Sequence, residues 1–359
     1  MKKILFIVAH RPGRSPGQRF RFEQYLDYLV ERGFSYRFSY LLNEKDDKTF
    51  YSNGHYFRKF LILMKSIWLR FNDIKRSREY DIVFIYREAI MLGSVFFEKR
   101  FKKSGAKIIL DFDDAIWLMD VSEGNKNLSW LKRPSKTADI LRLSDTVFVG
   151  NSYLSRYAEQ FNTNVNVIPT TLDTEKIKTK THNTSGKICI GWTGSYTTLK
   201  HFELAVSFLK KIQEKYPGEI KIKLISNVNH VEGLDISFCP WTKEKETEDI
   251  SEFDIGIMPL PDDEWSRGKC GFKGLQYMAL GIPAVMSPVG VNTEIIKNGE
   301  NGFLANSDEE WIDKLSMLIE SAELRMKIGK NGRKTVVEKY SFNAWKDRYV
   351  SFFEELIAK

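Results

Sequence analysis

The chain has 359 residues, 42% of them hydrophobic and 28% charged, the balance of an ordinary globular protein with room for two cores. It has no apolar run of about 18 residues, so no membrane-spanning helix is expected. Three dispersed cysteines and five scattered histidines argue against a disulfide frame and a structural metal. The net charge of +8 is uneven: the first hundred residues hold 20 Lys and Arg against 11 Asp and Glu, which points to an anionic partner or surface.

The opening MKKILFIVAHRPG imitates a signal peptide, but its apolar run stops at His10-Arg11-Pro12 and fits a buried first strand better. Short apolar runs follow at Tyr36–Leu42, Ile82–Tyr86, Lys107–Asp111, Thr146–Val149 and Val165–Ile168, with helical patterns between several of them. That alternation predicts a parallel sheet covered by helices. One of the intervening segments, residues 55–80, predicts a single long helix. It mixes Phe57, Phe60, Trp68 and Phe71 with seven Lys and Arg, so it suits either a core helix with a solvated face or peripheral contact with an anionic membrane.

The stretch 174–187 is polar and aperiodic, as in a linker. A second series then begins. Its strands are predicted at Ile188–Trp192, Ile220–Ile225, Ile255–Pro259, Ala284–Ser287 and Gly302–Ala305. Its helices are predicted at His201–Lys215, Phe272–Leu280, Asp308–Glu320, Ala322–Tyr340 and Phe342–Ala358. The two halves share no sequence repeat. Two doubly wound α/β domains would carry ligands at the C-terminal ends of their strands, in a cleft between them.

Four stretches carry candidate chemistry. CIGWTGSYTTLK (189–200) runs from a strand through Gly194, Ser195 and Thr197 to a helix start, where backbone N–H groups and Lys200 suit a phosphate. RGKCGFKGLQYMALGIPAV (267–285) clusters Arg267, Lys269 and Lys273 with glycines before a helix that sets Lys273 and Gln276 on one face, an arrangement suited to a ribose diphosphate. DFDD (111–114) follows a strand, and Asp113 and Asp114 could act as a base, hold an acceptor hydroxyl or bind a divalent ion. The first loop carries Arg11, Arg14, Arg19 and Arg21. Its Gly13 and Gly17 predict mobility, and its charge predicts an acceptor bearing phosphate.

In order and spacing, these stretches resemble GT-B glycosyltransferases, specifically the large retaining family 4 group. Residues 147–173, 287–305 and 332–342 extend the resemblance over nearly the whole chain. It implies an acceptor-side domain at 1–173, a nucleotide-sugar domain at 188–341 and a tail helix, 342–359, that crosses back onto the first domain. It implies a nucleoside-diphosphate sugar as donor, a UDP- or GDP-sugar, with no further cofactor. Lys200 would grip the donor diphosphate, with Lys273 also stabilising the leaving group. Gly290, Val291, Asn292 and Glu294 would hold the sugar and phosphates, and Gln276 would bind the ribose. Asp113 and Asp114 occupy the place of the family's histidine motif.

Two departures stand out. Ser195 replaces a family arginine, and Gly268 replaces a family glutamate; Arg267, Lys269 and Lys273 are expected to replace the lost cation. The expected activity is sugar transfer to a glycan or lipid-linked hydroxyl, with retention, in surface polysaccharide synthesis at the cytoplasmic side of a membrane. A nucleotide-sugar epimerase and a non-catalytic nucleotide- or glycan-binding homologue remain open. No nucleic-acid motif accompanies the basic N-terminal segment.

Overall fold

A computed structural model of the chain describes residues 1–180, 186–195, 198–227 and 231–358. It divides into two compact units, residues 1–170 with 346–359, and residues 171–345.

The first unit holds a six-stranded, all-parallel sheet of β1 (Lys2–His10), β2 (Phe34–Leu42), β3 (Ile82–Tyr86), β4 (Lys107–Phe112), β5 (Thr146–Val149) and β6 (Val165–Val167), in the order β2-β1-β3-β4-β5-β6. Its strands were legible because a sheet covered on both faces needs unbroken apolar runs. Its helices before residue 171 are α1 (Pro16–Arg21), α2 (Leu26–Glu31), α3 (Glu44–Tyr51), α4 (Tyr56–Arg76), α5 (Phe96–Lys102), α6 (Lys136–Leu143) and α7 (Ser152–Ala158).

The second unit repeats the architecture with β7 (Ile188–Thr193), β8 (Ile220–Ile225), β9 (Ile236–Cys239), β10 (Ile255–Met258), β11 (Ala284–Met286) and β12 (Phe303–Leu304), in the order β12-β11-β10-β7-β8-β9. The sequence reading missed β9. It is an edge strand, paired only with β8 and half exposed, so it lacks the apolar run of its neighbours. The helices are α8 (Leu199–Glu203), α9 (Val206–Lys215), α10 (Glu246–Ser251), α11 (Glu264–Arg267), α12 (Phe272–Ala279), α13 (Asn292–Ile295), α14 (Asp308–Glu320) and α15 (Ala322–Lys339). The helix expected over His201–Lys215 breaks at Leu204–Ala205 into α8 and α9.

The last helix, α16 (Phe342–Ala358), begins in the second unit and continues in the first. There Tyr349, Val350, Phe353 and Leu356 are buried, and Tyr349 stacks on Tyr25 with ring centroids 4.1 Å apart. The polar stretch read as a linker is not a loose tether. Lys180 bonds Asp254 (2.6 Å) and the Phe253 carbonyl (2.7 Å), and Arg333 bonds the Thr174 carbonyl (2.7 Å). Residues 181–185 lie outside the described set.

Each sheet reverses its winding once, between β1 and β3 in the first unit and between β7 and β10 in the second. Loops leaving neighbouring strands diverge there, which opens a crevice at the C-terminal strand ends. Both groups of candidate residues lie at these two places.

Candidate functional site

In the second unit, three loops leave the C-terminal ends of β7, β10 and β11. The first carries Gly194 and Ser195 into α8 with Lys200, an exposed lysine. Thr197 lies outside the described residues. Gly194 must be small, because a Cβ there would collide with the Trp192 ring and Thr198 Oγ1. Trp192 is buried at the end of β7, and Lys273 places its ammonium 5.4 Å from the Trp192 ring centroid. Lys269 does the same over Trp265, at 4.9 Å. Each aromatic face attracts the cation and restricts a flexible side chain.

The loops after β10 and β11 pack against each other. Gly271 takes φ +67°, and a Cβ there would collide with Ile295 Cδ1 and lie 3.3 Å from Val291 Cγ1. Gly290 takes φ +55°, and its Cβ would lie 2.6 Å from the Arg267 carbonyl oxygen. Glycine is therefore needed twice, both for the backbone turn and for close approach. Residues 267–271 and 290–295, far apart in sequence, form one wall. Glu294 is exposed on it and Asn292 is fully buried, its Nδ2 donating to the Ser287 carbonyl at 3.0 Å. Gln276 is buried on α12, one turn beyond Lys273.

Arg267, expected to supply a replacement cation, is partly balanced by a neighbouring carboxylate. Its guanidinium is engaged in its own loop, donating to both carboxylate oxygens of Asp262 at 2.6 and 3.0 Å. The positive charge of this wall is better represented by Lys269 and Lys273.

The sequence reading missed His201. This imidazole is 3% exposed, and its Nδ1 has no hydrogen-bond partner among the described residues. Burial, then the nearby charges of Lys273, Lys269 and Lys200, push its pKa down to about 4, against a weaker pull from Asp263. His201 is thus neutral at pH 7 and reports that three lysines from two separate stretches share one neighbourhood. The signal was faint, because which face of a five-residue helix turns inward is decided by packing.

In the first unit, Asp113 and Asp114 leave the end of β4 and meet Arg87, which follows β3. Arg87 donates to Asp113 at 2.7 and 3.1 Å and to Asp114 at 2.5 Å, and the Tyr86 hydroxyl donates to Asp113 at 2.7 Å. Arg87 holds φ +65°, which a side chain bearing Cβ adopts only at a cost. Burial opposes charge on Asp113, but Arg87 and Tyr86 outweigh it and hold its pKa below the ordinary value. The lowered pKa makes Asp113 a weaker base than an ordinary carboxylate and a negatively charged hydrogen-bond acceptor. Gly17, at the start of α1, is drawn in close, and a Cβ there would collide with Tyr86 Oη and lie 2.8 Å from Asp113 Oδ2.

The basic first loop is pinned and partly neutralised, not mobile and free. Gln18 both accepts from the His10 amide (3.2 Å) and donates to the His10 carbonyl (3.1 Å), and the Gly13 amide donates to Glu23 (2.7 Å). Arg11 and Arg14 pair with Asp47 at 3.3 and 2.5 Å. Arg19 stacks on Phe20 at 4.8 Å. Arg21 is no acceptor contact within this unit, for it is fully buried and paired with Asp111. The charges were legible in the sequence, but the carboxylate that Arg11 and Arg14 share was not, since Asp47 lies 33 residues beyond Arg14.

Residues 187–321 match the family model for Glycosyl transferases group 1. The chain is 27% identical over 189 residues to spore coat protein SA of Bacillus subtilis (strain 168), which covers 47% of this chain and 49% of that protein. The match thus spans about half the length of that curated relative. Sucrose-phosphate synthase from Thermosynechococcus elongatus superposes with a TM-score of 0.70 over 100% of both chains at 12% identity. Anabaena HepE, solved with UDP and glucose, superposes with a TM-score of 0.67 over 99% of both chains at 12% identity. A second structure of HepE holds UDP-glucose. The fold is therefore GT-B across the chain, and within the second unit residues 187–321 are similar to the group 1 glycosyltransferases.

Proposed function

We propose that this GT-B chain transfers a sugar from a nucleoside-diphosphate sugar to a hydroxyl of a glycan or lipid-linked acceptor. We further propose that it does so with retention of configuration, in surface polysaccharide synthesis. The observation that carries this reading is the gathering of Lys200, Lys269 and Lys273 around the neutral His201 at the winding reversal of the second sheet. Departure of a diphosphate builds negative charge, and three ammonium groups with the backbone after Gly194 would stabilise it. Gln276 would bind the ribose, and Glu294 with the backbone of Gly290, Val291 and Asn292 would hold the sugar. The HepE complexes make a uridine diphosphate sugar the first donor to try.

The first unit would take the acceptor at Gly17, Asp113 and Asp114. Held ionised, Asp113 would accept a hydrogen bond from the reacting hydroxyl without removing its proton. The departing phosphate would be the base.

The test is thermal stabilisation by UDP, GDP, ADP and TDP, alone and as sugars, followed by release of free nucleotide. Selective stabilisation by one diphosphate with slow donor hydrolysis supports transfer. Lys200→Ala is expected to lower kcat/KM tens- to hundreds-fold, a loss of about 2–3 kcal/mol of leaving-group stabilisation. A second reading, a binding protein without turnover, is favoured by Ser195 and Gly268, where the family carries arginine and glutamate. Tight nucleotide binding with no hydrolysis or transfer would select it.

A further inference from the structure

Helix α4 is turned inside out. Its polar residues Lys59, Ser66, Arg70 and Asp73 are buried. Lys59 donates to the Ser52 and Gly124 carbonyls (2.7 and 2.5 Å) and to Asn125 Oδ1 (2.9 Å). Arg70 donates to the Ala89 and Val8 carbonyls (2.6 and 2.9 Å) and pairs with Asp73 (2.9 Å). These bonds fasten the helix to the sheet. The opposite stripe, Phe57, Phe60, Leu61, Met64, Trp68 and Phe71, recurs at the three- and four-residue spacing of one helical face and is exposed. Phe57 is 73% exposed, Trp68 67% and Phe60 54%. Phe71 meets Phe96 of α5 edge-on at 5.8 Å, which extends the stripe to a second helix.

Isolated exposed apolar residues need no explanation, but a contiguous row of aromatic and aliphatic side chains along about 20 Å of helix does. The charge beside the row names the occupant. Arg58, Lys75, Arg78, Lys99 and Arg100 are exposed on or just beyond α4 and on α5, and Arg100 lies 5.1 Å over the Phe96 ring. Glu79 is the sole exposed acid among the described residues 56–80. A second copy docking on the same face would bring like cations together across its two-fold axis, which disfavours it. A surface of phosphate headgroups over acyl chains matches both the rings and the cations.

We propose that the outer face of α4, extended by α5, docks on an anionic lipid bilayer, its aromatic rings at the headgroup–acyl boundary and its lysines and arginines among the headgroups. This surface is independent of the donor chemistry of the second unit.

The test is cosedimentation of the full chain with phosphatidylcholine vesicles, with and without phosphatidylglycerol. Binding is expected only to the anionic vesicles, weakening as salt rises. Two double variants, Phe60→Ser with Trp68→Ser and Lys75→Glu with Arg78→Glu, are each expected to lose binding by about tenfold or more. Circular dichroism melts verify that both stay folded. Three results would overturn the proposal: no vesicle binding by the wild type, unchanged binding in both variants, or a wild-type dimer in light scattering that the aromatic variant converts to monomer. Thermal stabilisation by UDP and GDP, measured on the same proteins, judges the donor reading separately. Its absence leaves vesicle binding standing as evidence for the docking face.

Discussion

Lys273 and Trp192 come from two different strand–loop–helix passages, yet the ammonium of one lies 5.4 Å from the ring centroid of the other. The ring restrains a side chain whose freedom would otherwise dilute its charge, and it does so beside Lys269 and Lys200. Lys273→Ala is expected to lower donor-dependent kcat/KM by roughly 2–3 kcal/mol while leaving the melting temperature nearly unchanged. Trp192→Leu should lower both, because Trp192 also fills the core of the second unit. Steady-state kinetics beside thermal melts separates the two, and an unchanged kcat/KM in Lys273→Ala would remove that lysine from the site.

Arg87 is the hub of the first unit's candidate site. It neutralises Asp113 and Asp114 from a left-handed backbone conformation, and its side chain remains 36% exposed. Arg87→Ala leaves two adjacent carboxylates without their common cation. It is expected to raise the Asp113 pKa, to cost about 2–3 kcal/mol of stability and to reduce transfer more than donor hydrolysis. Equal loss of both activities would place Arg87 outside acceptor handling.

A contrasting outcome is expected at Arg21. Its pair with Asp111 is fully enclosed, with side-chain exposures of 1% and 2%. Arg21→Ala would strand a buried carboxylate, at a cost of roughly 3–5 kcal/mol, which denaturant unfolding would show as a lower midpoint. Nucleotide-induced stabilisation of whatever protein remains folded should persist. A soluble Arg21→Ala protein of wild-type stability that loses only transfer would restore the acceptor role first read from the sequence.

The strands were legible because a parallel sheet covered on both faces writes itself as apolar runs, and Ile82–Tyr86 and Ile220–Ile225 match to the residue. What stayed hidden depends on partners distant in the chain. Asp111 lies 90 residues from Arg21, so the composition of the first loop could show its charge but not the neutralisation. Arg87 carried no local mark, since its importance comes from a positive φ and two carboxylates just past the end of the next strand. For α4 the spacing showed which residues share a face, but only packing decides that the lysine and arginine face turns inward. His201 was passed over beside Lys200 for the same reason.

Gly271 offers a test of the wall between the two donor-side loops. Its φ of +67° disfavours any side chain, and a Cβ would meet Ile295 of α13. Gly271→Ala is expected to cost about 1–2 kcal/mol and to weaken nucleotide binding by displacing the start of α12. Gly105, also at positive φ but with open space around it, serves as the control, since Gly105→Ala should lower stability without changing nucleotide affinity.

His201 gives the site a pH dependence of definite sign. Its pKa falls from 6.5 to about 4 in the fold, because burial and three lysines disfavour its charge. Between these values the unfolded chain binds the extra proton, so the stability linked to His201 is fully present above about pH 6.5 and is lost progressively as pH falls towards 4, on the order of 3 kcal/mol in all. A bound diphosphate would act in the opposite direction. Its negative charge offsets the lysines and raises the His201 pKa from about 4, so nucleotide affinity should tighten as pH falls from about 6 towards 4.5. His201→Gln, which cannot titrate, should flatten both trends relative to wild type. Melts and calorimetric titrations across that pH range check the two slopes. A nucleotide affinity in the variant with the same pH slope as wild type would mean that no anion binds within electrostatic reach of His201, and the lysine cluster would lose its claim to the diphosphate.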